Sequence, residues 1–273
     1  MTDRDLAHRA DDLADWIEQL DAALIAGDRR AAREALAMLE PAKQDPSLCT
    51  EVTQSLYHGG LLVEAERWAE IAHADIERGR PASFATRKDL LWLRANIAWQ
   101  SGRFRAAAMR FRECAKRVGP TSYAEALAYI ADAPVVFEAS PMGWLAKSKA
   151  KRLAERALAQ GEELVQVRHG AGLILKVCAK DDALLRAIAD DPTLDDPEGL
   201  AYRESAAVLL DRTSSFVPRD AMNPIEERNF RLAQRYAKAI VAAMQPALPV
   251  APDEGPVRSL MGGSPLKVGA LAY

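Results

Sequence analysis

Between Phe104 and Val118 the apolar and small residues fall at 104, 107, 108, 111, 114, 115 and 118, close to one face of a helix. Arg105, Arg112 and Lys116 lie along another face, with Arg110 and Arg117 beside it. The same three-to-four spacing runs through most of the chain, and no stretch alternates apolar and polar residues over a strand's length. The pattern predicts helices near 4–26, 29–40, 47–58, 62–78, 84–101, 104–118, 122–132, 142–160, 162–179, 181–189, 197–213 and 222–244. Punctuation falls where helices should stop: Gly27, Gly59 with Gly60, Gly79 with Pro81, and Gly119 with Pro120.

Short connections between paired amphipathic helices call for a search for repeats. Aligned on Gly27, Gly60 and Gly102, the chain shows one layout three times, with a large residue or Arg two positions on and a small residue five positions on. After Gly102 come Phe104, Ala107, Phe111 and Cys114; after Gly60 come Leu62, Ala65, Ala69 and Ala72; after Gly27 come Arg29, Ala32, Leu36 and Leu39. The stretch LLWLRANIAWQSGRFRAAAMRFRECAKRVGP resembles a tetratricopeptide repeat, with Ala95 at the small position of the first helix and Gly102 at the turn. Phe104, Ala107, Phe111 and Cys114 match the packing positions of the second helix, and Pro120 closes the unit. Glycine permits the tight turn, small residues let helices approach, and the aromatic fills the wedge between neighbouring repeats.

The resemblance is strongest over residues 88–120, weaker over 46–78, and weakest over 13–45, where Trp16 takes the opening aromatic position but Arg29 replaces an expected aromatic. Past residue 121 the helices lack the signature. An insertion or a lengthened helix near IERGRPASFATRK separates the second and third copies. The resemblance implies an all-α fold, a right-handed superhelix of antiparallel helical hairpins over residues 1–120. A continuing helical region over 121–245 and a Pro/Gly-rich flexible tail over 246–273 complete the expected organisation.

Composition narrows the function. Lys plus Arg number 36 against 39 Asp plus Glu, for a formal charge of -3, so no global basic field draws in nucleic acid. Cys49, Cys114 and Cys178 are distant and odd in number, which suggests buried thiols in a reducing compartment rather than a disulfide framework or zinc site. No apolar run approaches the roughly 18 residues of a membrane helix, and the charged start MTDRDLAHRADD has no signal-like core. A cytoplasmic protein with no membrane contact is expected.

In tetratricopeptide repeats the ligand groove is lined by the first helices. The resemblance therefore implies a peptide-binding face of Trp92, Asn96 and Trp99, with Gln54 and Tyr57 from the preceding copy. Tryptophan brings apolar area and an N–H donor, and an amide can pair with a peptide backbone. Asn96 matches the asparagine of chaperone-binding members, but the lysine one turn earlier is Trp92 here, which argues against a chaperone tail. The expected function is a non-catalytic adaptor or scaffold that holds a peptide or helix of another protein. The competing reading is nucleic-acid binding through basic helix backs, the arginines of 105–117 joined by Lys147, Lys149, Lys151, Arg152 and Arg156.

Catalysis has no support in the residues, and no cofactor is implied. DDLAD (Asp11, Asp12, Asp15) matches a magnesium-diphosphate motif of helical terpenoid synthases, but it sits near the N-terminus and no second metal motif accompanies it. DDPTLDD is broken by Pro192 and reads as a loop of capping aspartates. His8, His58, His73 and His169 lack metal-ligand spacing. The glycines of RHGAGLIL suit close helix packing better than a phosphate loop. The last residues, from Pro246, exclude a continuing helix, and their apolar endings VRSLM and VGALAY suggest a tail that docks as an extended peptide on its own groove or on a partner, with self-association as one outcome.

Overall fold

The computed structural model describes residues 3–119, 123–139, 143–212 and 224–244. Among these, the regular structure is entirely helical. The helices are α1 (Asp3–Ala26), α2 (Arg29–Met38), α3 (Pro46–His58), α4 (Leu62–Glu77), α5 (Phe84–Gln100), α6 (Phe104–Val118), α7 (Ala124–Ala139), α8 (Gly143–Gly161), α9 (Val165–Ala179), α10 (Ala183–Ala189), α11 (Pro197–Leu209) and α12 (Pro224–Met244). A short 3-10 helix, Glu40–Gln44, joins α2 to α3. No described helix is long and apolar enough to cross a membrane. The expected tail over 246–273 lies outside the described residues.

The chain divides into two compact units, the first built mainly from residues through Leu93 and the second mainly from Arg94 onward, so the division falls within α5; the first residues of α12, through Arg228, belong to the first unit and the rest of α12 to the second. In the first unit α1 packs on α2, α3 on α4, and α1 on α3. Asp28 caps α2 by accepting from the Arg30 and Ala31 backbone N–H groups at 2.9 and 3.0 Å, and Asp45 caps α3 by accepting from the Ser47 N–H at 2.8 Å. After α4, the exposed connection is clasped by Arg80, which pairs with Asp75 at 3.2 Å and donates to the Gln44 carbonyl. That clasp anchors the segment predicted to be an insertion.

One turn is used three times. Gly27, Gly60 and Gly102 all have left-handed backbones, with φ of 70°, 75° and 72°. In each case the N–H of the next residue donates to the carbonyl five residues back: Asp28 to Ala23, Leu61 to Leu56, Arg103 to Ala98. This is the glycine-closed helix end in which the otherwise orphaned last carbonyls find donors. The next helix begins two residues after each glycine, and the small residue five positions on, Ala32, Ala65 or Ala107, is buried. The spacing read in the sequence is thus a repeated backbone geometry.

In the second unit the helices pack in chain order, α6 on α7, α7 on α8, α8 on α9, and α9 on α10 and α11. Helix α7 runs through Pro134, beyond the stop predicted at 132. An internal proline removes a backbone bond and costs about 3 kcal/mol in an exposed helix. Here Ile130, Ala131, Ala133, Pro134 and Val136 are all buried, and packing against α6, α8 and α9 overrides the local penalty. Helix α8 presents a narrow inner stripe, Ala146, Ala150, Ala154, Ala157 and Gly161, to its neighbours. A Cβ at Gly161 would stand 3.0 Å from the Ala126 Cβ, and one at Gly172 3.0 Å from Leu185, so both glycines serve close helix approach.

Candidate functional site

The expected peptide-binding residues do not form one open rank. Gln54, on α3, is exposed, and Tyr57, one turn on, is half-buried with its ring edge-on to His58. On α5, Trp92 is half-buried, Asn96 is 7% exposed and Trp99 is 4% exposed. The Trp99 ring packs edge-on against Phe104 and Phe111, with centroids 5.9 and 6.0 Å away. The turn at Gly102 returns α6 alongside the end of α5, and the indole fills the interior of that hairpin. The expectation that Trp99 and Asn96 line an open surface is therefore corrected: both are buried.

The arginines of α6 are also not simply solvated. Arg105 pairs with Glu138 of α7 at 3.6 Å, and Arg112 pairs with Asp132 of α7. Arg117 meets Glu113 at 3.2 Å, and Arg110 donates to the Arg94 carbonyl at 3.1 Å. Most of this basic face is neutralised by acids of its own helix or the next one, which leaves little for phosphates.

Helix α8 is different. Its outer side carries Leu145, Lys149, Arg152 and Arg156 at i, i+4, i+7 and i+11, opposite the buried alanine stripe, with Trp144 at the edge. Trp144 is 68% exposed and Leu145 46% exposed. Lys151 pairs along the helix with Glu155 at 3.8 Å, while Lys149, Arg152 and Arg156 form no ion pair among the described residues. Arg156 lies within electrostatic reach of Tyr129 on α7, whose hydroxyl donates to Glu125 at 2.9 Å. An exposed indole thus stands beside a leucine and a row of cations on one helix. The sequence reading registered the cations and missed Trp144. The available signal was its position two residues before the alanine stripe begins at Ala146, which sets it outside the packed face.

Asp196 caps α11 by accepting from the Gly199 N–H at 2.7 Å. Asp191 accepts from the Thr193 backbone and hydroxyl at 2.9 and 2.6 Å, and these bonds hold its carboxyl below the ordinary range. The DDPTLDD segment is thus a capping loop. Among the described residues no group of three or more His, Cys, Asp or Glu could hold a metal. His169 is fully buried against the Tyr202 ring, 4.8 Å between centroids, and burial pushes its pKa down to about 3. Burial raises Cys49 to about 12 and Cys178 to about 11, and the Cys49 thiol donates to the Trp68 carbonyl at 3.2 Å. Neither thiol is a nucleophile at neutral pH. Compared with known protein families, curated proteins and solved structures, the chain matches none.

Proposed function

We propose that the chain is a non-catalytic adaptor that holds a peptide or helix of another protein, and that its principal docking surface is the outer face of α8. The carrying observation is the juxtaposition of exposed Trp144 and Leu145 with Lys149, Arg152 and Arg156, none of which is ion-paired among the described residues. The partner is an acidic amphipathic segment, whose apolar end covers the indole while its carboxylates meet the cations. The wider arrangement is a right-handed superhelix of tetratricopeptide-like hairpins, supported by the shared left-handed glycine turn at residues 27, 60 and 102. In a concave groove of that kind, Gln54, Tyr57 and Trp92 are the residues left to meet a ligand. The three free cysteines favour a reducing, cytoplasmic setting.

Nucleic-acid binding through basic helix faces is the second reading, weakened by the ion pairs of α6. One experiment separates the two. Lysate from the source organism, with and without nuclease treatment, is passed over wild-type protein and over a Trp144→Ala/Arg152→Glu/Arg156→Glu variant. The adaptor reading expects a protein retained by the first and lost from the second. Identical protein sets on both columns would remove the α8 surface, and retention that vanishes on nuclease treatment would favour nucleic acid.

A further inference from the structure

The outer face of α1 is the charge complement of the outer face of α8. On α1, Leu20, Ala23 and Leu24 are buried, and the opposite side carries Asp15, Glu18, Ala22 and Ile25 at i, i+3, i+7 and i+10, all exposed. Among the described residues neither Asp15 nor Glu18 forms an ion pair, as is true of Lys149, Arg152 and Arg156 on α8. The polarity along the two helices is reversed. Helix α8 starts with Leu145 and continues into cations; α1 carries its acids first and ends with Ile25, which is 44% exposed.

We infer that the α8 face takes α1 of a second copy of this chain, the two helices running antiparallel. With Ile25 set against Leu145 and Trp144, the rise of a helix fixes the rest of the register. Glu18 and Arg152 each lie seven residues from the apolar end, about 10 Å along their axes. Asp15 lies ten residues from Ile25 and Arg156 eleven from Leu145, about 15 and 16 Å. Two acid–base pairs and one apolar contact therefore come into register together. Ala22 falls between the acids and the apolar end, where a small residue lets the helices approach. Each copy has one α1 and one α8, so the contact is either made twice in a two-fold dimer or repeated from copy to copy in a ring or chain.

This inference rests on the reading of α8 as a docking face and names the occupant. The test uses full-length protein in sedimentation-velocity and equilibrium runs over a wide concentration range. Wild type should exceed its 29.8 kDa monomer mass as concentration rises and return toward it in about 0.5 M salt, where exposed pairs are screened. Arg152→Glu/Arg156→Glu and, separately, Asp15→Arg/Glu18→Arg should each weaken self-association by about tenfold or more, since like charges then face each other. An equimolar mixture of the two variants should recover association, because each supplies the face that the other has reversed. That recovery also shows that neither variant is misfolded. A wild type that is monomeric throughout, or association that neither variant weakens, or a mixture that stays monomeric while both variants are folded, overturns the inference. Where wild type is monomeric yet the α8 variant loses a protein captured from lysate, the second copy is excluded and the docking face stands. If the variant loses neither association nor capture, both ideas fail.

Discussion

Helices α6 and α8 belong to the same unit, have similar numbers of cations, and look alike as strings of Arg, Lys and Ala. They do different things. On α6, Arg105 and Arg112 reach the next helix and find Glu138 and Asp132 there, and Arg117 finds Glu113 on its own helix. On α8, Lys149, Arg152 and Arg156 pair with no carboxylate among the described residues, and an exposed Trp144 stands at the head of the row. Exposed pairs of the first kind contribute little stability but do cancel the local field. Unpaired cations of the second kind leave a field for a partner to answer. A basic helix is therefore interpreted by the acids of the helix beside it, not by its own composition.

The largest effect that sharpens this contrast comes from the aromatics. Phe111 is fully buried and meets Trp99, so Phe111→Ala should cost about 3–5 kcal/mol, seen as an early transition in chemical denaturation. Trp144→Ala should stay within about 0.5 kcal/mol of wild type in the same measurement. A destabilisation at Trp144 comparable to that at Phe111 would mean that the indole packs rather than displays, and the distinction between the helices would fail.

Next is a test of the layer beneath α8. Helix α9 packs on α8 and holds His169 neutral in the core, with its folded pKa near 3 against an unfolded value near 6.5. Because the folded value is depressed, the stabilisation is fully present above about pH 6.5 and is lost as pH falls toward 3. The slope is about 1.4 kcal/mol per pH unit inside that window, or roughly 2 kcal/mol by pH 5. Denaturation series from pH 7 to 4 should show this slope in wild type and a flatter one in His169→Leu. Equal slopes would place the acid sensitivity elsewhere. A smaller effect is expected at the hairpin that feeds α6. Gly102→Ala forces a side chain into φ of 72° while leaving ordinary room, 3.9 Å to the Ala239 Cβ, so the cost is backbone strain of about 1–2 kcal/mol by thermal denaturation.

The hairpin turns were readable because their chemistry is local. A glycine followed two residues later by a new amphipathic run has few backbone solutions, and Gly27, Gly60 and Gly102 adopt the same one. The Ala and Phe positions of α6 were equally readable from helical spacing, and Phe104, Ala107, Ala108, Phe111 and Cys114 are all buried. What failed was exposure across helices. Trp99 resembled a surface residue in a one-helix view, yet Phe104 and Phe111 of the returning helix cover it. Pro134 resembled a stop because local rules end a helix there, while burial among three neighbours carries α7 onward. The pairing of Arg112 with Asp132 depends on how two helices are set side by side, which no spacing within either helix encodes.

The smallest predicted effect is also the most discriminating. A double-mutant cycle on Arg112 and Asp132, each to Ala, should return a coupling of about 0.2–1 kcal/mol, the range for exposed pairs, as Arg112 is 51% exposed. Arg152→Ala and Arg156→Ala should change stability by no more than about 0.5 kcal/mol, since neither is ion-paired among the described residues. Small numbers on both sides would say little on their own, so the informative quantity is their response to salt. The α6 coupling should shrink with added salt while folding remains complete, because screening weakens a contact that is already made. The α8 variants should show no salt-dependent change in stability, and their salt dependence should reside wholly in association. A coupling at Arg152 as large as that at Arg112, measured on the monomer, would mean that α8 too is neutralised from within, and its face would then have no field to offer a partner.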